Sequence, residues 1–210
     1  MIKIMLADDH SIVRSGLKKI LREEHDIEVI GEASNHEEVL SMLKELQPDI
    51  LLLDISMPGR NGLDILKEVK SIYGNIKVLI LSMHPEDRYA VRAIKSGASG
   101  YVSKESAAEE LVSAIRKVYR GQKYISEVLA EKLANFIEDD GEKSDHQKLS
   151  DREFQVLSMI ASGRTIKEIA GDLFLSPATI ASFRGRILTK LSLKSNVEIT
   201  SYALRNELIE

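Results

Sequence analysis

The stretch Asp49-Ile50-Leu51-Leu52-Leu53-Asp54-Ile55-Ser56-Met57-Pro58-Gly59 constrains the fold most, because an unbroken apolar run ends on a carboxylate and then a turn. Pro48 bounds it before and Pro58-Gly59 after. A short all-apolar segment between turn signals reads as a strand buried on both faces, the pattern of a parallel sheet covered by helices. Asp54 then stands at the carboxyl end of that strand. In open α/β sheets ligands gather in the crevice outside those ends, so the fold itself places this carboxylate for chemistry.

The flanking sequence alternates in the same way. Ile2 to Ala7 is a short apolar strand running into Asp8-Asp9, and Ser11 to Arg22 carries Ile12, Val13, Leu17, Ile20 and Leu21 at helical spacing. Ile27 to Ala33 reads as a second strand, and Ser34-Asn35-His36-Glu37 as a capping box opening a helix with Val39, Leu40, Leu43 and Leu46. After the Asp54 strand, Gly62 to Tyr73 is helical through Leu63, Ile65/Leu66, Val69 and Ile72. Ile76 to Leu81 is a fourth strand, Glu86 to Lys95 a helix with Val91 and Ile94 inward, Ala98 to Val102 a fifth strand, and Ala107 to Tyr119 a fifth helix. Five such repeats argue for a doubly wound, flavodoxin-like α/β domain with a five-stranded parallel sheet over residues 1–121.

The carboxyl ends of the strands define a site. The first ends in Asp8-Asp9, the third in Asp54, the fourth in Ser82, and the fifth runs through Tyr101 toward Lys104. Close carboxylates repel, and in a partly buried crevice this is costly without a cation. Mg²⁺ suits such a set, being held by one or two carboxylates with water and phosphate oxygens. An Asp carboxylate is also a nucleophile that forms an aspartyl-phosphate, which makes Asp54 the candidate acceptor. Lys104 and the ion would neutralise charge on the transferred group.

Residues 1 to about 120 resemble the receiver domain of bacterial two-component response regulators, through Asp8-Asp9, Asp54, the Met57-Pro58 turn with Gly62, Ser82, and Gly100-Tyr101-Val102-Ser103-Lys104. The resemblance implies that Asp54 accepts phosphate from a sensor histidine kinase. It also implies that Asp8, Asp9, Asp54 and the Ser56 carbonyl hold Mg²⁺. Ser82 would then bond the phosphoryl oxygen, and Tyr101 would turn inward and link the site to the surface of the fourth helix, fifth strand and fifth helix.

Gly121 closes the fifth helix, and Ser126 to Ile137 shows Val128, Leu129, Leu133, Phe136 and Ile137 at helical spacing, a linker helix able to pack on either neighbour. Glu138-Asp139-Asp140-Gly141-Glu142-Lys143-Ser144-Asp145-His146 has almost nothing apolar to bury and marks a flexible boundary within a linker of residues 122–148. Lys and Arg number 17 against 19 Asp and Glu over residues 1–121, 4 against 7 over 122–148, and 8 against 7 over 149–210, so only the last segment is positive.

Four short helices follow over residues 149–210, each with its own start signal. Ser150-Asp151-Arg152-Glu153 and Thr165-Ile166-Lys167-Glu168 are capping boxes, Ser176-Pro177 supplies an N-cap with a first-turn proline, and Ser195-Asn196-Val197-Glu198 opens the last helix. The second and third, joined by Phe174-Leu175, make a helix-turn-helix, a unit whose later helix is expected to be able to enter a DNA major groove. The segment resembles the LuxR-type helix-turn-helix domain in Leu149 to Glu153, Val156-Leu157, Gly163, Ile169-Ala170, Ser176-Pro177, Thr179-Ile180, Ile187-Leu188 and Lys190-Leu191. The whole chain thus looks like a response regulator of the NarL/FixJ group.

The recognition helix departs from that pattern. Its inward stripe is Ile180, Phe183, Ile187 and Leu191, and its opposite face is Ala178, Ala181, Ser182, Gly185 and Thr189 with Arg186 at the edge. Family members usually carry His where Phe183 stands, and often Lys or another polar residue near Ala178 and Ala181. Ser182 and Arg186 are then the strongest candidates for base contacts, while Thr165, Lys167, Thr179, Arg184, Lys190 and Lys194 are assigned to the DNA interface chiefly as phosphate contacts. Few basic contacts imply weak monomer binding, strong salt dependence and dimerisation on palindromic half-sites, with either the last helix (Val197, Ser201, Leu204, Leu208) or the receiver's fourth and fifth helices as the dimer surface.

The expected function is therefore transcriptional regulation switched by phosphorylation. The alternative is a regulator whose last domain binds DNA constitutively or binds a protein partner. A hydrolase working through an aspartyl-phosphate would need a second acid near the nucleophile, yet the residue two past Asp54 is Ser56, and no Walker loop or dinucleotide fingerprint is present. No enzymatic turnover beyond slow self-dephosphorylation is expected. Zero cysteines exclude a disulfide framework, no apolar run approaches the roughly 20 residues that span a bilayer, and the start lacks a basic segment before a long apolar core, so a soluble cytoplasmic protein is expected.

Overall fold

The structure, a computed structural model, describes residues 1–57, 61–83, 86–138, 145–206 and 208–209. The chain falls into two units, Met1–Ala130 and Glu131–Glu210. Among the described residues no helix is long and apolar enough to cross a membrane. The expected Pro58-Gly59 turn and residues 139–144 of the polar boundary lie outside the described residues.

The first unit alternates β1 (Ile2–Ala7), α1 (Ser11–Arg22), β2 (Ile27–Ala33), α2 (His36–Leu46), β3 (Ile50–Asp54), α3 (Gly62–Ile72), β4 (Lys77–Ser82), α4 (Glu86–Lys95), β5 (Gly100–Ser103) and α5 (Ala107–Tyr119). The five strands are parallel in the order β2-β1-β3-β4-β5. The order reverses between β1 and β3, and the crevice of a doubly wound sheet opens at such a point. Every residue of β3 is buried. Alternate strand residues Ile4, Leu6, Ile50, Leu52, Leu79 and Leu81 join Leu17, Leu21, Leu111 and Ile115 of α1 and α5 in one apolar cluster. Met5, Leu51, Leu53, Val78 and Ile80 point to the other face and are equally buried.

Several local details differ from the expectation. The cap of α2 is shifted by one residue: the Asn35 side chain accepts from the Glu38 N–H, and the Glu38 carboxylate accepts from the Ser34 N–H and hydroxyl. Among the described side chains of α4, Tyr89, Ala90 and Ala93 are buried, while Val91 and Ile94 are only half-buried. Small alanines let that helix lie close, so its inner stripe is set by size as much as by hydrophobicity. Ile12 of α1 and Ile72 of α3 face solvent at 85% and 57% exposure. Strand β5 begins at Gly100, two residues later than expected, and Tyr124 runs beside it. A Cβ on Gly100 would come within 2.7 Å of the Tyr124 carbonyl oxygen, so only glycine admits that neighbour.

Helix α6 (Glu127–Glu138) opens where expected, with the Ser126 hydroxyl accepting from the Leu129 N–H; the side chains of Val128, Phe136 and Ile137 lie outside the described residues. The boundary between the two units falls inside this helix. The second unit continues with a 3-10 turn (Asp145–Lys148), α7 (Asp151–Ala161), α8 (Ile166–Asp172), α9 (Pro177–Lys190) and α10 (Asn196–Arg205). Both capping boxes form, at Ser150/Glu153 and Thr165/Glu168, and Ser176 and Ser195 cap α9 and α10. Each such cap stabilises its helix by about 1 kcal/mol. Helix α8 ends in a left-handed turn at Phe174 (φ 53°), with the Leu175 N–H reaching the Ala170 carbonyl and the Phe174 N–H reaching that of Gly171. Two crossed bonds of this kind satisfy the terminal carbonyls and turn the chain sharply into α9. Ile169, Leu173, Ile180, Ile187, Leu191 and Ile199 are buried within this unit's core.

Candidate functional site

The register of the sheet assembles the first site. Ala7 pairs with Leu53, so Asp8 and Asp54 follow side by side where β1 and β3 end, at 2% and 1% exposure. Ser82 pairs with Ser103 at the ends of β4 and β5, and the Lys104 N–H donates to the Ser82 carbonyl at 2.8 Å. That bond turns the chain so that the Lys104 ammonium stands 2.6 Å from Asp8 Oδ2 and 3.0 Å from Asp54 Oδ2. Helix α3 closes in from beyond β3: the Gly62 N–H donates to the Ile55 carbonyl, and a Cβ at Gly62 would stand 2.5 Å from the Asp54 carbonyl oxygen. Asp8 is held in turn, its Oδ1 accepting from the His10 N–H and its carbonyl from Arg14 Nη1.

Burial is the larger influence on Asp54 and pushes its carboxyl above the ordinary range; Lys104 opposes this and Asp8 adds to it. Burial works against the Lys104 charge, but Asp54 and Asp8 together hold its ammonium above the ordinary value. One ammonium is shared among the carboxylates. Asp8 Oδ2, Asp9 Oδ1 and both Asp54 oxygens are buried short of full hydrogen bonding, and Lys104 meets Asp8 Oδ2 and Asp54 Oδ2 as an ion pair. Orphaned carboxylate oxygens gathered at one point are the donor set a hard divalent cation takes, so the residues present fit Mg²⁺.

The other residues of the expected site are placed as follows. Ser82 and Tyr101 are fully buried, and Ser56 is exposed with its backbone turned toward the Asp54 carboxylate. His10 escaped the sequence reading altogether. Its ring Nδ1 stands 2.8 Å from Asp9 Oδ1, and it joins Asp8, Asp9 and Asp54 in one cluster of possible ligands. The available signal was its position directly after the Asp8-Asp9 pair.

In the second unit α9 exposes Ala178, Ala181, Ser182, Gly185, Arg186 and Thr189 on one side, as its spacing predicts. Phe183, expected inward, is only half-buried, and the Arg186 guanidinium lies 5.8 Å above its ring. The ring thus serves as a platform for Arg186. Lys167 and Lys194 are exposed, and the Thr165 hydroxyl is engaged as the cap of α8. The Thr179 hydroxyl shares a hydrogen bond with that of Ser176. Two of the basic residues are tied within the unit: Arg184 Nε donates to Asn196 Oδ1 at 2.5 Å, and Lys190 Nζ donates to Glu153 at 2.6 Å and to the Lys148 carbonyl at 3.2 Å. Glu153 is 3% exposed, so the Lys190 charge is spent fastening α9 to the start of α7.

Residues 4–116 match the family model of the response regulator receiver domain, and residues 147–203 that of bacterial regulatory proteins of the luxR family. The chain is 39% identical over 209 residues to the response regulator UvrY of Escherichia coli (strain K12), covering 99% of this chain and 96% of that one. It is 40% identical over 215 residues to the oxygen regulatory protein NreC of Staphylococcus aureus (strain MRSA252), covering 99% of each. Among solved structures, RcsB from Salmonella enterica serovar Typhimurium, bound to promoter rprA in the presence of phosphomimetic BeF3⁻, is 26% identical with a TM-score of 0.66, over 96% of this chain and 98% of that one.

Proposed function

Since the chain belongs to the two-component response regulators that join a receiver domain to a LuxR-type DNA-binding domain, we propose that Asp54 is its phosphoacceptor and that phosphorylation controls promoter binding. The observation that carries this reading is the pairing of a carboxylate buried at the carboxyl end of β3 with the Lys104 ammonium at 3.0 Å. In the transfer an Asp54 oxygen attacks the phosphorus of a phosphohistidine on a sensor kinase. The P–N bond breaks, the imidazole leaves with its electron pair, and an acyl phosphate forms. Lys104 meets the charge on the phosphoryl oxygens, and the Ser82 hydroxyl bonds one of them. Asp8, Asp9 and Asp54, with the Ser56 carbonyl, would hold Mg²⁺, which supplies further positive charge there when bound. Tyr101, buried in β5, follows the rearrangement toward the surface of α4, β5 and α5. The protein acts in the cytoplasm and turns over no substrate beyond slow loss of its own acyl phosphate.

The α9 face is built for DNA with few base-reading groups. Arg186, propped on Phe183, is aimed at bases or phosphates, with Ser182 beside it, while Lys167, Lys194, Thr165 and Thr179 lie toward the backbone. Arg184 and Lys190 contribute positive potential from tied positions rather than freely reaching side chains. A second copy supplies the contacts one copy lacks. Val197, Ser201 and Leu204 of α10 are exposed on one face, Val197 at 78% and Leu204 at 51%, and form the candidate dimer surface; Leu208 is tucked in at 6% and drops out of it. The Arg186→Ala variant is expected to bind promoter DNA about tenfold more weakly, a loss within the 1–3 kcal/mol of a specific contact. Fluorescence anisotropy at fixed salt measures this, and unchanged affinity would remove Arg186 from the interface.

The small groove face also favours a second reading, in which DNA binding does not depend on the receiver. Elution mass with and without beryllofluoride and Mg²⁺, followed by capture of genomic DNA from both samples, separates the two. A monomer that becomes a dimer and captures DNA only when treated supports the switch. A fixed mass with capture in both states supports constitutive binding.

A further inference from the structure

Strand β5 is the last in the sheet, so the backbone groups on its outer edge call for a partner. The chain supplies one itself. At the end of α5 the Gly121 N–H reaches the Val118 carbonyl and the Gln122 N–H that of Lys117, with Gly121 at φ 84°, a helix end that sends the chain back. Tyr124 then forms a one-residue parallel bridge at Gly100. Its N–H donates to the Ser99 carbonyl at 3.0 Å, and its carbonyl accepts from the Tyr101 N–H at 3.2 Å. Side chains hold it there: Lys123 Nζ donates to the Ala98 carbonyl, the Tyr124 hydroxyl donates to Glu110 of α5 at 2.9 Å, and the Lys117 ammonium lies 5.6 Å above the Tyr124 ring. Helix α6 starts at Glu127, and its Leu129 is 1% exposed within the same unit.

The other end of β5 belongs to the phosphoacceptor site. Ser103 pairs with Ser82, and the next residue, Lys104, meets Asp8 and Asp54. Only Val102 and Ser103 separate Tyr101 from Lys104, about 10 Å of extended chain. A group added at Asp54 that draws Lys104 and Ser82 to itself therefore displaces the Tyr101 amide as well. The bridge to Tyr124 rests on two backbone bonds, whereas β5 is paired to β4 along its whole length, so the bridge gives way first.

We propose that Tyr124 straps the start of the linker helix to β5, and that a phosphoryl group at Asp54 loosens this strap, so that α6 receives the signal through the β5 backbone. The inference rests on Asp54 as the phosphoacceptor. Coupling of this kind is reciprocal: weakening the strap by other means must favour the phosphoryl-bound state.

The test uses the full chain with beryllofluoride and Mg²⁺. Amide hydrogen exchange followed by NMR reads the strap at Tyr101 and Tyr124, and the fluorine-19 resonance of bound beryllofluoride gives its half-saturation. In the wild type, saturation should speed exchange at these two amides about tenfold. A double variant, Lys123→Met with Tyr124→Phe, keeps the backbone and removes the side-chain bonds that hold it. It should exchange faster at both amides before any addition, and half-saturate at about fivefold lower beryllofluoride. Glu127→Ala, outside the strap, should behave as the wild type. A double variant that melts earlier but half-saturates with the wild type would make the strap merely structural and overturn the proposal. Bound beryllofluoride that leaves wild-type exchange unchanged or slower overturns it too, while leaving Asp54 as the acceptor. Absence of a bound resonance in the wild type overturns both.

Discussion

Replacement of Asp54 by Asn is expected to abolish acid-labile phosphorylation by a small phosphodonor with Mg²⁺, together with any dimerisation or DNA capture that phosphorylation induces. The loss should be complete, because an amide oxygen is a poor nucleophile and cannot form an acyl phosphate. The same substitution should make the unphosphorylated protein more stable at neutral pH without divalent ions. Burial raises the Asp54 pKa above its ordinary 3.8, so its folded state favours the protonated form. Its contribution to stability is full below the unfolded value and is lost as pH rises through the folded one. At neutral pH the native charge is a burden that Asn removes, worth about 1 to 3 kcal/mol, the usual penalty on an unsatisfied buried group. Calorimetry at several pH values, beside a labelling assay, tests both halves. Retained labelling would place the acceptor elsewhere, and a variant that melts earlier at neutral pH would show that Lys104 more than offsets the Asp54 charge.

Much of this site is legible in the sequence because a parallel sheet imposes its own geometry. Apolar runs that end in Asp8-Asp9, Asp54 and Ser82 bring their last residues to one edge, since parallel strands share a direction and the strand order reverses beside β1. What the pattern of apolar residues does not show is partner choice across the chain. Lys190 reads as a free cation beside DNA until its pairing with Glu153, a residue also engaged as a helix cap, is seen. Arg184 likewise reads as exposed charge, although Asn196 of the next helix takes it. Side-chain size is the other blind spot: Ala90 and Ala93 face inward in α4 where Val91 and Ile94 are more apolar. His10 was hidden for a different reason. A residue between a strand and a helix has no periodicity to betray its direction, and only the backbone turn at Asp8 brings the imidazole to the carboxylates.

Replacement of Lys104 by Met should destabilise the receiver unit more than any other single change at the site. The methionine fills similar space, so the effect isolates the charge. Lys104 is 6% exposed and touches both Asp8 and Asp54, and its removal leaves those buried carboxylates facing each other. Breaking a buried pair by removing one partner costs about 3 to 5 kcal/mol, which for a domain of this size lowers the melting temperature by roughly 10 to 20 °C. The pH dependence identifies the cause. The Lys104 pKa is held above its ordinary 10.5, so its stabilisation is present below that value and disappears only as pH rises through the higher folded one. The gap between variant and wild type should therefore be wide at neutral pH. It should narrow in acid, where Asp54, with its raised pKa, takes a proton and the repulsion falls. Added Mg²⁺ should narrow it as well, by standing in for the missing positive charge. Phosphoryl transfer should still fall about a hundredfold, the scale on which one charge-stabilising donor contributes to a reaction barrier. A variant that melts with the wild type at neutral pH without divalent ions would contradict this account. A gap that stays constant from acid to neutral pH would point to packing, rather than carboxylate repulsion, as what Lys104 controls.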